Sequence, residues 1–375
     1  MGSIKSISVD GFKSIKELKY LELKKLNVMV GANGAGKSNF IQIFRMLDAM
    51  SHGRFQEFIL KNGGADAFPF CGLKETPEIK IEFEFTSGSS FSRGLNFYRL
   101  SMSPNNEEQM VLYEECKYDD DGWHSYGSHS LESKLPNEIK RERSYDGQYD
   151  GVGRYVYDSI SSWTVYHFHD TGSNAPMRRS EIVEDYEKLD GYARNIAPFL
   201  LHLRETSPSS YEDIVKAVRL VIPFFEDFRL DILKMGEAEK VKLTWKQKGT
   251  EYPMQPYHLS DGSIRFICLA AALLQPAPPA TIVIDEPELG LHPEAIHLLA
   301  ELTKAAAKKT QVIVATQSPL LLDQFSIEDI IVARRQNGTS NFERLNAEDY
   351  GQWLEDYTLG ELWTKNVIDG GTVHE

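Results

Sequence analysis

The octapeptide Gly31-Ala32-Asn33-Gly34-Ala35-Gly36-Lys37-Ser38 fits the pattern G-x-x-x-x-G-K-[ST], and its flanks restrict the folds it can belong to. Ahead of it, Leu26 to Val30 reads as a largely apolar strand. Behind it, Phe40, Ile41, Phe44, Leu47 and Met50 recur at helical spacing until His52-Gly53 supplies a stop. Buried strand, glycine turn and amphipathic helix in that order make a phosphate-cradling unit. The glycines let backbone N–H groups curl around phosphate oxygens, and the helix N-terminus adds the positive end of its dipole. Lys37 is then placed for the β- and γ-phosphates of ATP and the Ser38 hydroxyl for Mg²⁺. Asn33, Gly34, Ala35 and Gly36 of the loop and Asn39 beyond it complete the expected nucleotide contacts.

Far downstream, Thr281-Ile282-Val283-Ile284-Asp285-Glu286 is an apolar strand that ends in two carboxylates. Adjacent acids at the end of a buried strand repel each other unless a cation or proton is shared. The pair therefore suits a metal and general-base site, with Asp285 expected to hold Mg²⁺ and Glu286 to polarise a water as the catalytic base. A solvated acidic loop is the bland alternative, made less attractive by the glycine loop upstream.

The chain has 375 residues, of which 41% are hydrophobic and 26% charged, enough for one large domain or two lobes. A formal net charge of −14 opposes polyanions, so nucleic-acid contact would need a local basic patch. Lys140, Arg141 and Arg143, or Arg178 and Arg179, are the candidates, although clusters this short are ordinarily solvated surface. Cys71, Cys116 and Cys268 show no C-x-x-C spacing, which argues against a disulfide framework or structural zinc. The N-terminus lacks an apolar h-region and no 18-residue apolar run occurs, so a cytoplasmic chain without a membrane span is expected.

Between these motifs the alternation of Ile4, Ile7 and Val9, of Leu18 to Leu23 and of Ile79 to Phe85 predicts strands. Val111 to Tyr113, Tyr155 to Tyr157 and Trp163 to Phe168 extend this into an antiparallel region. From 180 to 222, Ile182, Leu189, Ile196, Leu200, Leu203, Ile214, Val218 and Val221 fit helical periods, without the sustained heptads of coiled-coil arms. From Val241 to Trp245 onward, strands and helices alternate, as βα units on a largely parallel sheet do. The expected division is a first lobe with the glycine loop and a β-rich region (1–175), a short helical insert (176–235), a second lobe (236–335) and a tail packed on the core (336–375).

Leu259-Ser260-Asp261-Gly262-Ser263 precedes the helical run Ile264 to Leu274. A serine and a glycine there can bind an anion, and the same pattern is that of an ordinary N-cap. In sequence order, GANGAGKSN, LSDGS, DEPELGLHP and ATQSP resemble the nucleotide-binding heads of SMC, RecF and OLD-type ATPases of the ABC class. The likeness covers roughly residues 1 to 60 and 240 to 335, and the tail EDYTLGELWTKNV is similar to that of stand-alone bacterial AAA-type ATPases. The resemblance implies a P-loop ATPase that closes head to tail on ATP as a homodimer, Ser260 and Gly262 of one protomer meeting the γ-phosphate held by the other. The second signature glycine is Ser263 here, with Asp261 inside the motif. The switch histidine of the family corresponds to Gln317, whose amide can orient water in a slow hydrolysis; helix capping or packing is its other reading. His292 is either near the dimer interface or a plain turn histidine before Pro293.

His167 and His169 are one strand period apart, and without a third ligand they are assigned no metal. By resemblance the ATPase acts on a protein partner, such as a separately encoded nuclease or toxin, or on nucleic acid, in DNA maintenance or phage defence. The competing class is the nucleotide-binding subunit of a membrane transporter. The roughly 220 residues between Ser38 and Ser260 argue against it, being more than a compact subunit of that kind needs.

Overall fold

A computed structural model describes residues 2–86, 94–127, 129–137, 151–236 and 238–368. Lys140, Arg141 and Arg143 lie outside the described residues. Two six-stranded sheets organise the chain. One is antiparallel throughout, in the order Ile15–Glu22, Ile4–Phe12, Ile79–Phe85, Asn96–Pro104, Met110–Tyr118, His124–Ser125. The other runs Thr339–Arg344, Ile330–Gln336, Leu26–Val30, Gln311–Thr316, Thr281–Asp285, Thr164–Tyr166, and is parallel except for its first strand.

The three central strands of this sheet, Leu26–Val30, Gln311–Thr316 and Thr281–Asp285, are buried on both faces, and their period of two divides their side chains between two cores. Val28, Val30, Ile282, Ile284, Val312 and Val314 face one core, built with the helices Ile196–Thr206, Pro208–Val221, Asp261–Leu274 and Pro293–Ala307. Met29, Val283, Ile313, Ala315, Ile331 and Ala333 face the other, shared with the antiparallel sheet. The helix Lys37–Ser51 is wedged into this second core through Phe40, Phe44 and Leu47. Its Phe44 packs against Phe83 of the antiparallel sheet and against Trp163, and its Phe40 against Phe342 of the parallel one. The helix that follows the glycine loop is thereby held between two sheets.

Four local expectations differ from the structure. Tyr155 to Tyr157 belongs to the helix Val152–Ser161, whose buried Gly153, Val156 and Ile160 recur at helical spacing, so the Tyr-Val-Tyr alternation was coincidental. Residues 164–166 form the edge of the parallel sheet, pairing with Thr281–Asp285, instead of extending the antiparallel one; a three-residue strand carries no sequence sign of its partner. Ile182 sits in a short strand and Leu189 in a loop, and the two helices begin only at Ile196 and Pro208. Residues 241–245 divide between Ala238–Val241 and Trp245–Gln247, which lie in different three-stranded sheets. Among the described residues the longest helices have 15 residues, so no coiled-coil arm is present there.

Candidate functional site

Parallel register decides which residues meet. Val30 pairs with Thr316, and Asp285 with Ala315, so three neighbouring strands end at one edge. The chain leaves them into Gly31, Glu286 and Gln317. A crevice at the carboxyl ends of parallel strands is where such sheets bind ligands.

In the loop, Gly36 has φ 109°, and a Cβ there would stand 2.2 Å from Ser340 Oγ. Only glycine permits this closeness to the Ser14–Ser340 hydroxyl pair. Asn39, expected among the ligand contacts, donates its amide to Ser14 Oγ at 2.7 Å and so ties the loop to the antiparallel lobe. Asn33, Gly34 and Ser38 are exposed, whereas Ala35 is buried and its methyl group packs in the core beside the loop. Lys37 Nζ donates to the carbonyls of Gly31 at 2.6 Å and Ala32 at 3.1 Å, and burial lowers its pKa against the pull of Glu286, Asp285 and Glu288.

Asp285 is 7% exposed. Its Oδ2 lies 3.6 Å from Arg45 and 3.8 Å from His167 Nδ1, and His169 Nε2 donates to its backbone carbonyl at 2.9 Å. Burial pushes this carboxyl above the usual aspartate range, opposed by Arg45, His169 and Lys37 and reinforced by Glu286. Arg45 also donates to His167 Nδ1 at 2.9 Å, and burial, then the charges of Arg45 and His169, hold the His167 pKa down to about 4. Its ring is neutral near pH 7.

Glu286 has φ 44°, a left-handed backbone seldom adopted by a side chain of this size and characteristic of functional turns. Its N–H donates to Ala315 O at 2.8 Å, which fixes the turn to the neighbouring strand. Gln317 Nε2 donates to Glu286 Oε1 at 2.5 Å. Ser318, and not Gln317, caps the short helix Pro319–Leu322, so the amide of Gln317 is left to face the acid. Glu288 joins this group although sequence reasoning passed over it. Its Oε1 accepts from Thr316 Oγ1 at 2.5 Å and from Gln317 N–H at 3.1 Å, while Oε2 is buried with no partner among the described residues. Burial raises its pKa. The available signal was a third acid in the turn that follows the apolar strand, Asp-Glu-Pro-Glu.

Ser260 is exposed and caps Asp261–Leu274, accepting from Ser263 N–H at 3.1 Å. A Cβ on Gly262 would stand 2.2 Å from the Gly290 carbonyl, so the signature loop lies against the turn after the paired acids. His292 caps Pro293–Ala307, accepting from Glu294 N–H. Arg178 is no surface phosphate contact. Its buried guanidinium donates to the carbonyls of Thr171 and Leu259 and meets Asp261 Oδ1 at 3.0 Å. The turn Pro176–Arg178 directs it inward, which adjacent arginines in a sequence do not reveal. Arg179 is engaged with the Asn174 carbonyl.

The residues fit a nucleotide with its cation: an anion-cradling loop, a lysine, and three acids of which one carries an unsatisfied buried oxygen. No helix among the described residues is long and apolar enough to cross a membrane. No curated protein matches the sequence. The fold is that of SMC head domains. The SMC head solved with the C-winged helix domain of ScpA superposes with a TM-score of 0.62 at 16% identity, over 93% of this chain and 99% of that one. A head domain with an extended coiled coil, bound to the C-terminal domain of ScpA derived from Pyrococcus furiosus, gives 0.57 at 17%, over 95% and 99%. Residues 26–323 match the family described as "AAA domain, putative AbiEii toxin, Type IV TA system". With that match across most of its length and a P-loop where the family begins, the chain belongs to this AAA-type ATPase family.

Proposed function

We propose that the chain binds ATP with Mg²⁺ between the loop 31–38 and the acids 285–288, hydrolyses it slowly, and uses it to join two copies head to tail. The observation that carries the reading is the contact of Gln317 with Glu286 at the ends of adjacent parallel strands, beside the loop. Loop N–H groups and Lys37 bind and orient the phosphates, with Asn33, Gly34, Ala35 and Gly36 contributing backbone. Ser38 and Asp285 would hold Mg²⁺, which supplies charge neutralisation at the phosphates. Glu286 takes the proton of the attacking water, and its strained backbone holds the carboxylate toward the crevice. Gln317 fixes the orientation of that carboxylate and of the water. Glu288 holds Gln317 by accepting from its backbone N–H.

Ser260 and Gly262 make their contacts within their own helix and the turn at Gly290, and in this reading complete the site of a second copy. Closing and opening of the pair is then read by a partner. The family's description refers to a toxin–antitoxin system, which supports a place for this chain in a system of that kind. The net charge of −14 and the inward turn of Arg178 favour a protein partner over nucleic acid. The test is hydrolysis by wild type and Glu286→Gln with ATP affinity measured on both. Loss of turnover with affinity retained supports the assignment, whereas turnover unchanged in the variant refutes it.

A further inference from the structure

We infer that His167, His169 and Asp285 form a site for a borderline transition-metal cation of the Zn²⁺ or Co²⁺ class, filled without nucleotide. The inference rests on the proposed ATP site only in that both use Asp285.

The convergence follows from strand pairing. Tyr166 is in register with Ile284, so the chain leaves one strand into His167 and its neighbour into Asp285 at the same edge. His167 and His169, two residues apart, emerge on one side, with ring centroids 3.9 Å from each other. One ligand atom from each of the three residues falls within 4.8 Å of the others. Around a tetrahedral Zn²⁺ with bonds of about 2.0–2.2 Å, ligand atoms stand roughly 3.3 Å apart, so side-chain movements of about an ångström close the set. No other such group occurs among the described residues.

The donor set selects the ion. Two imidazoles and one carboxylate suit Zn²⁺, Co²⁺ or Ni²⁺, whereas Mg²⁺ takes oxygen ligands. The structure already aims a positive charge at this point. The Arg45 guanidinium donates to His167 Nδ1, so that nitrogen presents its lone pair to a cation, and stands 3.6 Å from Asp285 Oδ2. Arg45 also lines an open cavity of about 650 Å³ together with Asp48 and Asp190, which gives it acids to turn to when a metal displaces it. Arg45 is therefore the competitor of the metal. A cation held here engages Asp285, so Zn²⁺ antagonises Mg²⁺ at the nucleotide site.

The test is titration of the full nucleotide-free chain with Co²⁺, followed by visible absorption. The site predicts the intense bands of histidine-ligated, low-coordinate cobalt, saturating stoichiometrically and reversed by Zn²⁺. His167→Ala and His169→Ala each weaken binding by about tenfold or more, with unfolding temperatures checked in parallel. Arg45→Gln tightens it. Proton NMR of the cobalt-loaded wild type supplies a readout that needs no variant: two paramagnetically shifted, exchangeable imidazole N–H signals. Only the weak spectrum of aqueous cobalt, or bands that survive both histidine substitutions, overturns the site. Lys37→Ala separates the two readings: it is expected to lose ATP and keep the cobalt bands. ATP binding by that variant would count against the proposed function and leave the metal site standing.

Discussion

In the proposed reading Asp285, Glu286 and Gln317 carry most of the chemistry, and each makes a prediction of its own. Glu286→Gln keeps the shape of the side chain and removes its basicity, so hydrolysis should fall by about 100-fold or more, the usual size of a general-base contribution. Gln317→Ala leaves that carboxylate without its 2.5 Å partner, and turnover should fall while ATP affinity stays within a few-fold. An affinity collapse in parallel would make Gln317 a ligand contact instead. The acid at 285 links function to stability. Its pKa is raised in the folded chain, chiefly by burial, so the fold binds this proton more tightly than the unfolded chain does. Stability from this group is present below its ordinary range and lost as pH rises through the raised value. Asp285→Asn should therefore raise the unfolding temperature at neutral pH, by about 1–2 °C, while abolishing Mg²⁺-dependent hydrolysis. A lower unfolding temperature would mean that the Arg45 contact outweighs the burial cost.

At the scale of elements, the helix Lys37–Ser51 is the part on which two sheets depend. Phe44 is fully buried against Phe40, Phe83 and Trp163, and Phe44→Ala should cost about 3–5 kcal/mol, read by chemical denaturation. This helix, the strand before it and the strand Thr281–Asp285 were legible in the sequence because the helix has an unambiguous period, the strands are short apolar runs bounded by turn residues or acids, and the loop has a fixed spacing. So were the paired acids, which stand where a buried apolar run stops. What could not be read depends on pairing between distant segments. Thr164–Tyr166 is too short to announce its partner, yet it brings His167 and His169 to Asp285, 118 and 116 residues away in sequence. Val152–Ser161 carried its helical spacing in Gly153, Val156 and Ile160, all three of them small or β-branched and so weak helix formers. Arg178 shows the same limit, since its inward direction is set by a single turn.

For the whole molecule, the parallel sheet places a loop-bearing core on one face and the helix that starts at Ser260 on the other. The glycine loop and the Ser260 cap therefore belong to opposite sides of one sheet, and among the described residues the exposed Ser260 makes its side-chain contacts with Ser263 of its own helix. That arrangement suits completion of each site by a second copy. The order of motifs made this expectation available from sequence, because the likeness to ABC-type heads lay in the motifs themselves and the SMC-head fold agrees with it. The most direct test is the solution mass of Glu286→Gln by light scattering after gel filtration, with and without Mg-ATP. One chain without nucleotide and two with it are expected, the increase being lost in Ser260→Ala; a mass that stays at one chain with ATP bound would contradict head-to-tail pairing.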